Sequence, residues 1–247
     1  MRRDHVVLHS WAVGDANLLA YGHYGRPMIW FPSDGGRAFD FENNGLLDSV
    51  RHLLDEGRIK IYAIDSFDGG SWRRNDLPME SRAREHQRFE DFLLNDVVPL
   101  IYSDCGGPVE IMLNGQSFGA FHAANFCLRR ADLFPLALCM SGVYDLGRLG
   151  WGERGDAFYF NNPLDYVAQM GGGHLDWIRS RASLQLVCGQ GAWEDDSASG
   201  ALSSTLRFND VLNSKGIRHE LDLWGYDVAH DWPSWRAQLA YHLPRFC

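Results

Sequence analysis

Short apolar runs alternate with longer amphipathic segments along most of the chain. The runs with the length and composition of buried strands are HVVLHSW, NLLAYG, PMIWFP, IKIYAID, VEIMLNG, PLALCMSG, LQLVCG and HELDLWG. Helical periodicity fills stretches between them, at about residues 44–57, 83–103, 118–130, 198–215 and 234–244. An antiparallel opening pair followed by strand and helix in alternation predicts an α/β fold: a mostly parallel eight-strand sheet with helices on both faces.

The domain organisation follows from the absence of any repeat or long linker. A chain of 247 residues can form one α/β domain, and we expect a single domain over residues 1–247. Residues 145–182 fit neither the strand nor the helix pattern, because glycines and aromatic residues are interspersed there. We expect this segment to form an insertion over the sheet, as a cap or a pocket wall.

Charge and hydropathy narrow the range of partners. The formal net charge is -9, so phosphate backbones would be repelled and nucleic acid is not an expected partner. Polar residues interrupt the N-terminal apolar runs before a signal-peptide core can form, and no apolar run reaches the roughly 18 residues of a membrane span. These features predict a cytoplasmic protein that has no membrane contact.

No metal or organic cofactor is expected. The five cysteines are odd in number and lack a short Cys-x-x-Cys spacing, which is typical of free, mostly buried thiols. Neither a His-Glu-x-x-His motif nor a Walker-type loop occurs. The chemistry is therefore expected to come from side chains and backbone amides.

The stretch LNGQSFGAFHA, residues 113–123, places a serine between two glycines. A predicted strand precedes it and a predicted helix follows, which is the setting of a nucleophile elbow. Gly115 and Gly119 would avoid Cβ atoms that collide with the adjoining elements, and the helix N terminus would favour developing negative charge. Ser117 is the predicted nucleophile, and a plain tight turn is the alternative.

A serine hydroxyl becomes a good nucleophile only when a base accepts its proton. His230 lies in a loop after the last predicted strand and before a final amphipathic helix, 113 residues beyond Ser117 (230 − 117). This order and setting predict that His230 is the base. His122 lies on the predicted elbow helix, where a packing or surface role is expected.

A carboxylate that orients the histidine is expected in the loop after the last but one predicted strand, LQLVCG. The sequence GQGAWEDD supplies three adjacent acids there, Glu194, Asp195 and Asp196, ranked in that order. The competing interpretation is that these acids are the solvated start of the next helix, where negative charge is favoured.

Three motifs together resemble one branch of the α/β-hydrolases: GQSFGA, GQGAWED and HDWPSW. That branch contains esterase D (S-formylglutathione hydrolase), the feruloyl esterases and the antigen-85 mycolyltransferases. Its histidine stands in a Gly-Gly-His-Asp-x-x-x-Trp setting, of which this chain keeps His230, Asp231 and Trp235 but has Val228 and Ala229 in place of the glycines. The resemblance implies an α/β-hydrolase fold and serine-dependent hydrolysis of carboxylic esters through an acyl-enzyme.

The resemblance also bears on the acid and on the oxyanion hole. The branch's Gln-Gly-x-x-Asp motif places Glu194 at the acid position, but glutamate in place of aspartate leaves Asp195 open. One oxyanion donor is expected to be the amide of Phe118, the residue after the nucleophile. The loop SDGGRAFDF resembles the Asp-Gly-x-Arg-Ala segment of antigen 85, which implies that the amide of Gly36 is the second donor.

The substrate is expected to be a small-molecule ester, and the sequence does not identify it. Candidate pocket residues are Trp72, Trp151, Trp193, Arg37 and Arg73, each with core packing or solvated charge as the alternative. Two other functions stay open: an acyltransferase of the antigen-85 type and a non-catalytic binding protein that retains the fold. The sequence gives no oligomeric state.

Overall fold

A computed structural model describes residues 2–195 and 200–247, and its central feature is an eight-stranded sheet. The strands are β1 Arg3–Ser10, β2 Gly14–Tyr21, β3 Arg26–Phe31, β4 Ile59–Ile64, β5 Met112–Gln116, β6 Leu136–Met140, β7 Ser183–Cys188 and β8 His219–Leu223. Their order across the sheet is β1-β2-β4-β3-β5-β6-β7-β8. Each strand coincides with one of the apolar runs identified in the sequence.

Strand direction in the sheet separates a short antiparallel edge from a parallel body. β1 and β2 pair antiparallel, as do β2 and β4, whereas every pair from β4 through β3 to β8 is parallel. All residues of β4 and β5 are buried, as expected for central strands covered on both faces. The predicted mostly parallel eight-strand sheet is therefore confirmed.

Helices cover both faces of the sheet. The α-helices are α1 Asp40–Asn43, α2 Leu46–Ser49, α3 Arg51–Asp55, α4 Met79–Phe92, α5 Val98–Cys105, α6 Phe118–Arg129, α7 Asp156–Tyr159, α8 Pro163–Gln169, α9 Gly172–Arg181, α10 Ala201–Lys215 and α11 Trp232–His242. A π-helical segment, Leu93–Val97, joins α4 to α5, and short 3-10 turns occur at Asp68–Gly70, Leu146–Arg148 and Leu243–Arg245. One apolar core lies beneath α4 to α6 and α8 to α10, and a second lies beneath α1 to α3 and α11.

The segment 145–182 contains α7, α8, α9 and a 3-10 turn. A buried carboxylate on α4 anchors its start: Glu80 accepts hydrogen bonds from the amides of Gly155 (2.8 Å), Ala157 (3.3 Å) and Phe158 (3.0 Å). These amides lie at the N terminus of α7, where a negative charge is favourable. The segment is thus fixed to the helix layer beside the elbow.

Candidate active site

The turn between β5 and α6 holds Ser117 in a backbone conformation that serine rarely adopts, with φ of 54° and ψ of -120°. A Cβ atom at Gly115 would lie 2.3 Å from the carbonyl oxygen of Gly119. A Cβ atom at Gly119 would lie 2.4 Å from the carbonyl oxygens of Phe31 and Pro32. Both glycines are therefore needed for strand, turn and helix to approach this closely, as the sequence pattern predicted.

His230 lies next to the serine. Its Nε2 is 2.9 Å from the Oγ of Ser117, and its Nδ1 is 3.0 Å from Oε2 of Glu194. The loop after β8 carries the histidine, whose backbone amide donates to the carbonyl of Ala192 at 2.9 Å. Asp231 then caps α11 by accepting a hydrogen bond from the amide of Ser234 at 2.9 Å, which fixes the end of this loop.

Glu194 is fully buried in the loop after β7. Asp195, the alternative acid, is exposed and accepts a hydrogen bond from the amide of Ser203, in the first turn of α10, at 3.1 Å. The structure therefore brings Glu194, and not Asp195, to the histidine. Asp196 lies outside the described residues.

The amides proposed for the oxyanion hole differ in their surroundings. Phe118 is the first residue of α6, so no intrahelical carbonyl is available to its amide. The amide of Gly36 donates to the carbonyl of Ser33 at 2.8 Å within a turn, so it could serve an oxyanion only through a shared, three-centre hydrogen bond. The Gly36 assignment stays a prediction.

Two buried carboxylates that follow β4 hold the loop after β3. Asp65 accepts a hydrogen bond from the amide of Ala38 at 2.9 Å, and Asp68 accepts one from the amide of Gly35 at 3.2 Å. The other oxygen of Asp68 lies 2.8 Å from Nε2 of His122 on α6. Asp68 thus connects the loop after β3 to the elbow helix, and His122 has a buried structural contact there.

A cavity of about 380 Å³ opens beside the serine. Its lining residues are Asp34, Trp72, Arg73, Asn75, Ser117, Phe118, Val143 and Leu149. Apolar side chains form one part of the wall, and an ion pair with 3.7 Å between Arg73 Nη1 and Asp34 Oδ2 forms another. Partial burial, followed by the charge of Asp68, raises the pKa of Asp34.

Two of the five predicted pocket residues, Trp72 and Arg73, belong to this lining. Trp151 is exposed and donates its indole N–H to the carbonyl of Asn75. Trp193 is also exposed and lies in the loop after β7, next to Glu194. Arg37 pairs with Asp65 at 3.1 Å instead. The segment 145–182 contributes Leu149 to the wall, which is the kind of contact expected of a pocket wall.

A cluster of aromatic rings and histidines packs beneath this cavity. His86 is fully buried and stacks on His122 with 5.2 Å between ring centroids. Its other neighbours include Trp72, Phe121 and Phe126. Burial, and to a smaller extent the nearby His122 and Arg129, holds the pKa of His86 well below its usual 6.5.

This shift makes stability depend on pH. Below about pH 6.5 the unfolded chain binds a proton at His86 that the folded protein excludes, so the free energy of unfolding should fall by up to about 1.4 kcal/mol per pH unit. In His86→Phe this contribution should disappear. Urea unfolding at about pH 7.5 and about pH 5.5 measures it, with His52→Gln, which removes an exposed histidine, as the control. Equal pH dependence in wild type and His86→Phe would contradict the assignment.

Within residues 2–195 and 200–247, no group of three or more His, Cys, Asp or Glu side chains could hold a metal ion. Within the same ranges, no helix is both long and apolar enough to cross a membrane.

Known proteins resemble this chain in sequence family and in fold. The family model Esterase, described as "Putative esterase", matches residues 23–246. Among solved structures, a ferulic acid esterase is 16% identical with a TM-score of 0.73, covering 99% of this chain and 96% of that one. S-formylglutathione hydrolase from Staphylococcus aureus is 14% identical with a TM-score of 0.67, covering 99% and 95%.

MPT51 of Mycobacterium tuberculosis is 16% identical with a TM-score of 0.74, covering 99% of this chain and 97% of that one. No curated protein matches the sequence significantly. At these identities the likeness is one of fold, and together with the family match it confirms the α/β-hydrolase fold and the esterase resemblance.

Proposed function

Because the chain belongs to the Esterase family, whose reaction is the hydrolysis of carboxylic esters, we propose that it works as a serine esterase through an acyl-enzyme. The observation that carries the proposal is the 2.9 Å contact between Ser117 Oγ and His230 Nε2, at a turn where Ser117 is half-buried and lines a cavity. Glu194 completes the triad, because its carboxylate lies 3.0 Å from the other ring nitrogen.

Acylation begins when Ser117 Oγ attacks the ester carbonyl carbon while His230 Nε2 accepts the hydroxyl proton. The carbonyl π electrons move to oxygen, and the resulting oxyanion accepts a hydrogen bond from the amide of Phe118. Glu194 stabilises the imidazolium and fixes Nδ1 as the protonated nitrogen. When the tetrahedral intermediate collapses, the C–O bond to the alcohol breaks and His230 returns the proton to the departing oxygen.

Deacylation repeats these steps with water. His230 removes a proton from the water molecule, whose oxygen attacks the acyl carbon, and collapse expels Ser117 Oγ, which regains its proton from His230. The acid product then leaves. The second oxyanion donor belongs to the loop after β3, with the amide of Gly36 as the proposed group.

The cavity beside Ser117 supports a small-molecule ester as the substrate. Its volume of about 380 Å³ lies within the range of small-ligand sites. Trp72 and Phe118 would contact an apolar acyl or aryl group, and Arg73 lies where a polar substituent would meet it. Adding competing alcohols and analysing the products distinguishes hydrolysis from acyl transfer.

Domain organisation and location complete the proposal. We propose that residues 1–247 act as a single domain, with 145–182 as a pocket-wall insertion, since Glu80 anchors this segment to α4. A cytoplasmic location is proposed because all five cysteines are free thiols, which persist in a reducing compartment. The net charge of -9 supports a protein that does not bind nucleic acid.

A fluorophosphonate probe tests the serine mechanism. Wild type should be labelled, because the probe captures a serine whose proton a neighbouring base removes. Ser117→Ala should not be labelled, whereas Ser103→Ala, which removes an exposed serine on α5, should be labelled as wild type is. Unlabelled wild type, or equal labelling of Ser117→Ala, would refute the proposal.

A further inference from the structure

Ser141 follows β6, and its backbone conformation is unfavourable for any residue with a side chain. Its φ is 49°, in the left-handed region, and the residue is fully buried. Its amide donates to the carbonyl of Val187 at 2.7 Å, which fixes the backbone here. A glycine would adopt this conformation without steric cost, so the presence of serine needs another explanation.

The hydroxyl of Ser141 lies between two groups of the site. It donates to Oε1 of Glu194 at 2.6 Å and accepts a hydrogen bond from the indole Nε1 of Trp235 at 3.1 Å. The Trp235 ring in turn packs edge to face on the imidazole of His230, with 4.9 Å between centroids and 82° between planes. Glu194, His230, Trp235 and Ser141 therefore form a closed ring of contacts.

The two carboxylate oxygens of Glu194 have different hydrogen-bond partners. Oε1 accepts from Ser141 Oγ and from the amide of Gly189 at 3.2 Å, while Oε2 faces His230 Nδ1. Glutamate has one more rotatable bond than the aspartate of the Gln-Gly-x-x-Asp motif that this loop resembles. Holding Oε1 removes the extra rotational freedom and leaves Oε2 directed at the histidine.

We propose that Ser141, itself oriented by Trp235, is a positioning residue that sets the Glu194–His230 geometry. The proposal rests on the proposed serine mechanism, because it assigns Ser141 a role only through the triad. A purely structural Ser141 would support folding without affecting turnover. The positive φ offers a variant that separates the two roles.

Ser141→Gly removes the hydroxyl and relieves the backbone strain, so the fold should be retained. We expect kcat for a short p-nitrophenyl ester to fall about 10- to 100-fold, because a small displacement of a catalytic group lowers the rate by about this factor. KM should stay within about two-fold of wild type. Trp235→Phe keeps an aromatic ring against His230 but loses the N–H that donates to Ser141. Its kcat should therefore also fall, by a smaller factor than in Ser141→Gly.

A double variant tests whether Ser141 acts through Glu194. If it does, adding Ser141→Gly to Glu194→Gln should lower kcat by less than about two-fold, because groups that act as a unit have non-additive effects. If the double variant instead lost as large a further factor in kcat as Ser141→Gly loses alone, the proposal would be overturned. Wild-type kcat in Ser141→Gly would overturn it as well.

The matched control is Ser10→Ala, which removes a buried serine that donates to the carboxylate of Asp96 at 2.6 Å, on β1 and away from the site. Its kcat should equal that of wild type. Failure of this inference is distinguishable from failure of the proposed function. In the first case wild type is active and Ser117→Ala is not, while the Ser141 variants keep full turnover; in the second, wild type is not labelled by the fluorophosphonate probe.

Discussion

His230→Ala is expected to lower kcat for a short p-nitrophenyl ester by about six orders of magnitude, as removal of the base does in other serine hydrolases. In the proposed mechanism the imidazole removes the Ser117 proton and later returns it to the leaving alcohol, and its Nε2 lies 2.9 Å from the hydroxyl. Without it the hydroxyl keeps its proton at neutral pH and attacks the ester only slowly. Stopped-assay measurement of released p-nitrophenolate gives the rate.

The control for this variant is His174→Ala, since His174 is an exposed histidine on α9. Its turnover should match wild type. The free energy of unfolding should be measured for both variants, so that loss of activity is not confused with loss of fold. If folded His230→Ala retained turnover, the base would be another group and the proposed mechanism would be wrong.

Glu194→Gln should lower kcat by about 10⁴, the size of effect seen when the acid of a serine triad is replaced by its amide. The glutamine fits the same space, but it carries no negative charge to stabilise the imidazolium. Its amide group can also direct an N–H at Nδ1, which favours the wrong tautomer. Released p-nitrophenolate again measures the rate.

Asp195→Asn provides the matched comparison because the two acids are adjacent. Asp195 is exposed and bonded to the amide of Ser203, so its amide variant should keep turnover within about two-fold of wild type. A large loss in Asp195→Asn together with a small loss in Glu194→Gln would reverse the assignment of the acid.

The central strands are readily predicted from sequence because their residues are buried on both faces of the sheet. Such strands give continuous apolar runs bounded by polar residues, as in β4. The helices were harder. The predicted helix over residues 44–57 is instead two short helices, α2 and α3. The backbone of Gly45, just before α2, has a φ of 75° that interrupts helical geometry.

Two other predicted helices differ in extent from those observed. The predicted helix over 83–103 begins earlier, at Met79, and passes through a π-helical segment, Leu93–Val97. That change of hydrogen-bond pattern leaves the apolar periodicity nearly intact, so the sequence carries little sign of it. The helix predicted over 198–215 is observed as Ala201–Lys215, and residues 196–199 lie outside the described part of the chain.

The residues of the site differ in the same way, because some are marked by a local sequence pattern and others depend on contacts with distant residues. The position of Ser117 at the turn between β5 and α6 is predictable because the two glycines and the change from strand to helix are adjacent in sequence. The contact of His230 with Ser117 is predictable from the place of His230 after the last strand. Ser141 and Asp68 carry no comparable local pattern, and their roles depend on contacts with residues 53 and 54 positions away (194 − 141 and 122 − 68). A serine at the carboxyl end of a central strand was the available signal for Ser141.

Ser117 and His230 are separated by 113 residues, and in the sheet β6 and β7 lie between the strands that precede them. During translation, at about 5–20 residues per second, the proposed nucleophile is therefore synthesised roughly 6 to 23 seconds before the proposed base (113/20 and 113/5). In that interval the nascent chain contains Ser117 but not yet His230, the residue proposed to activate it. The onset of ester cleavage would thus report the docking of β8, which makes turnover a sensitive readout of late folding.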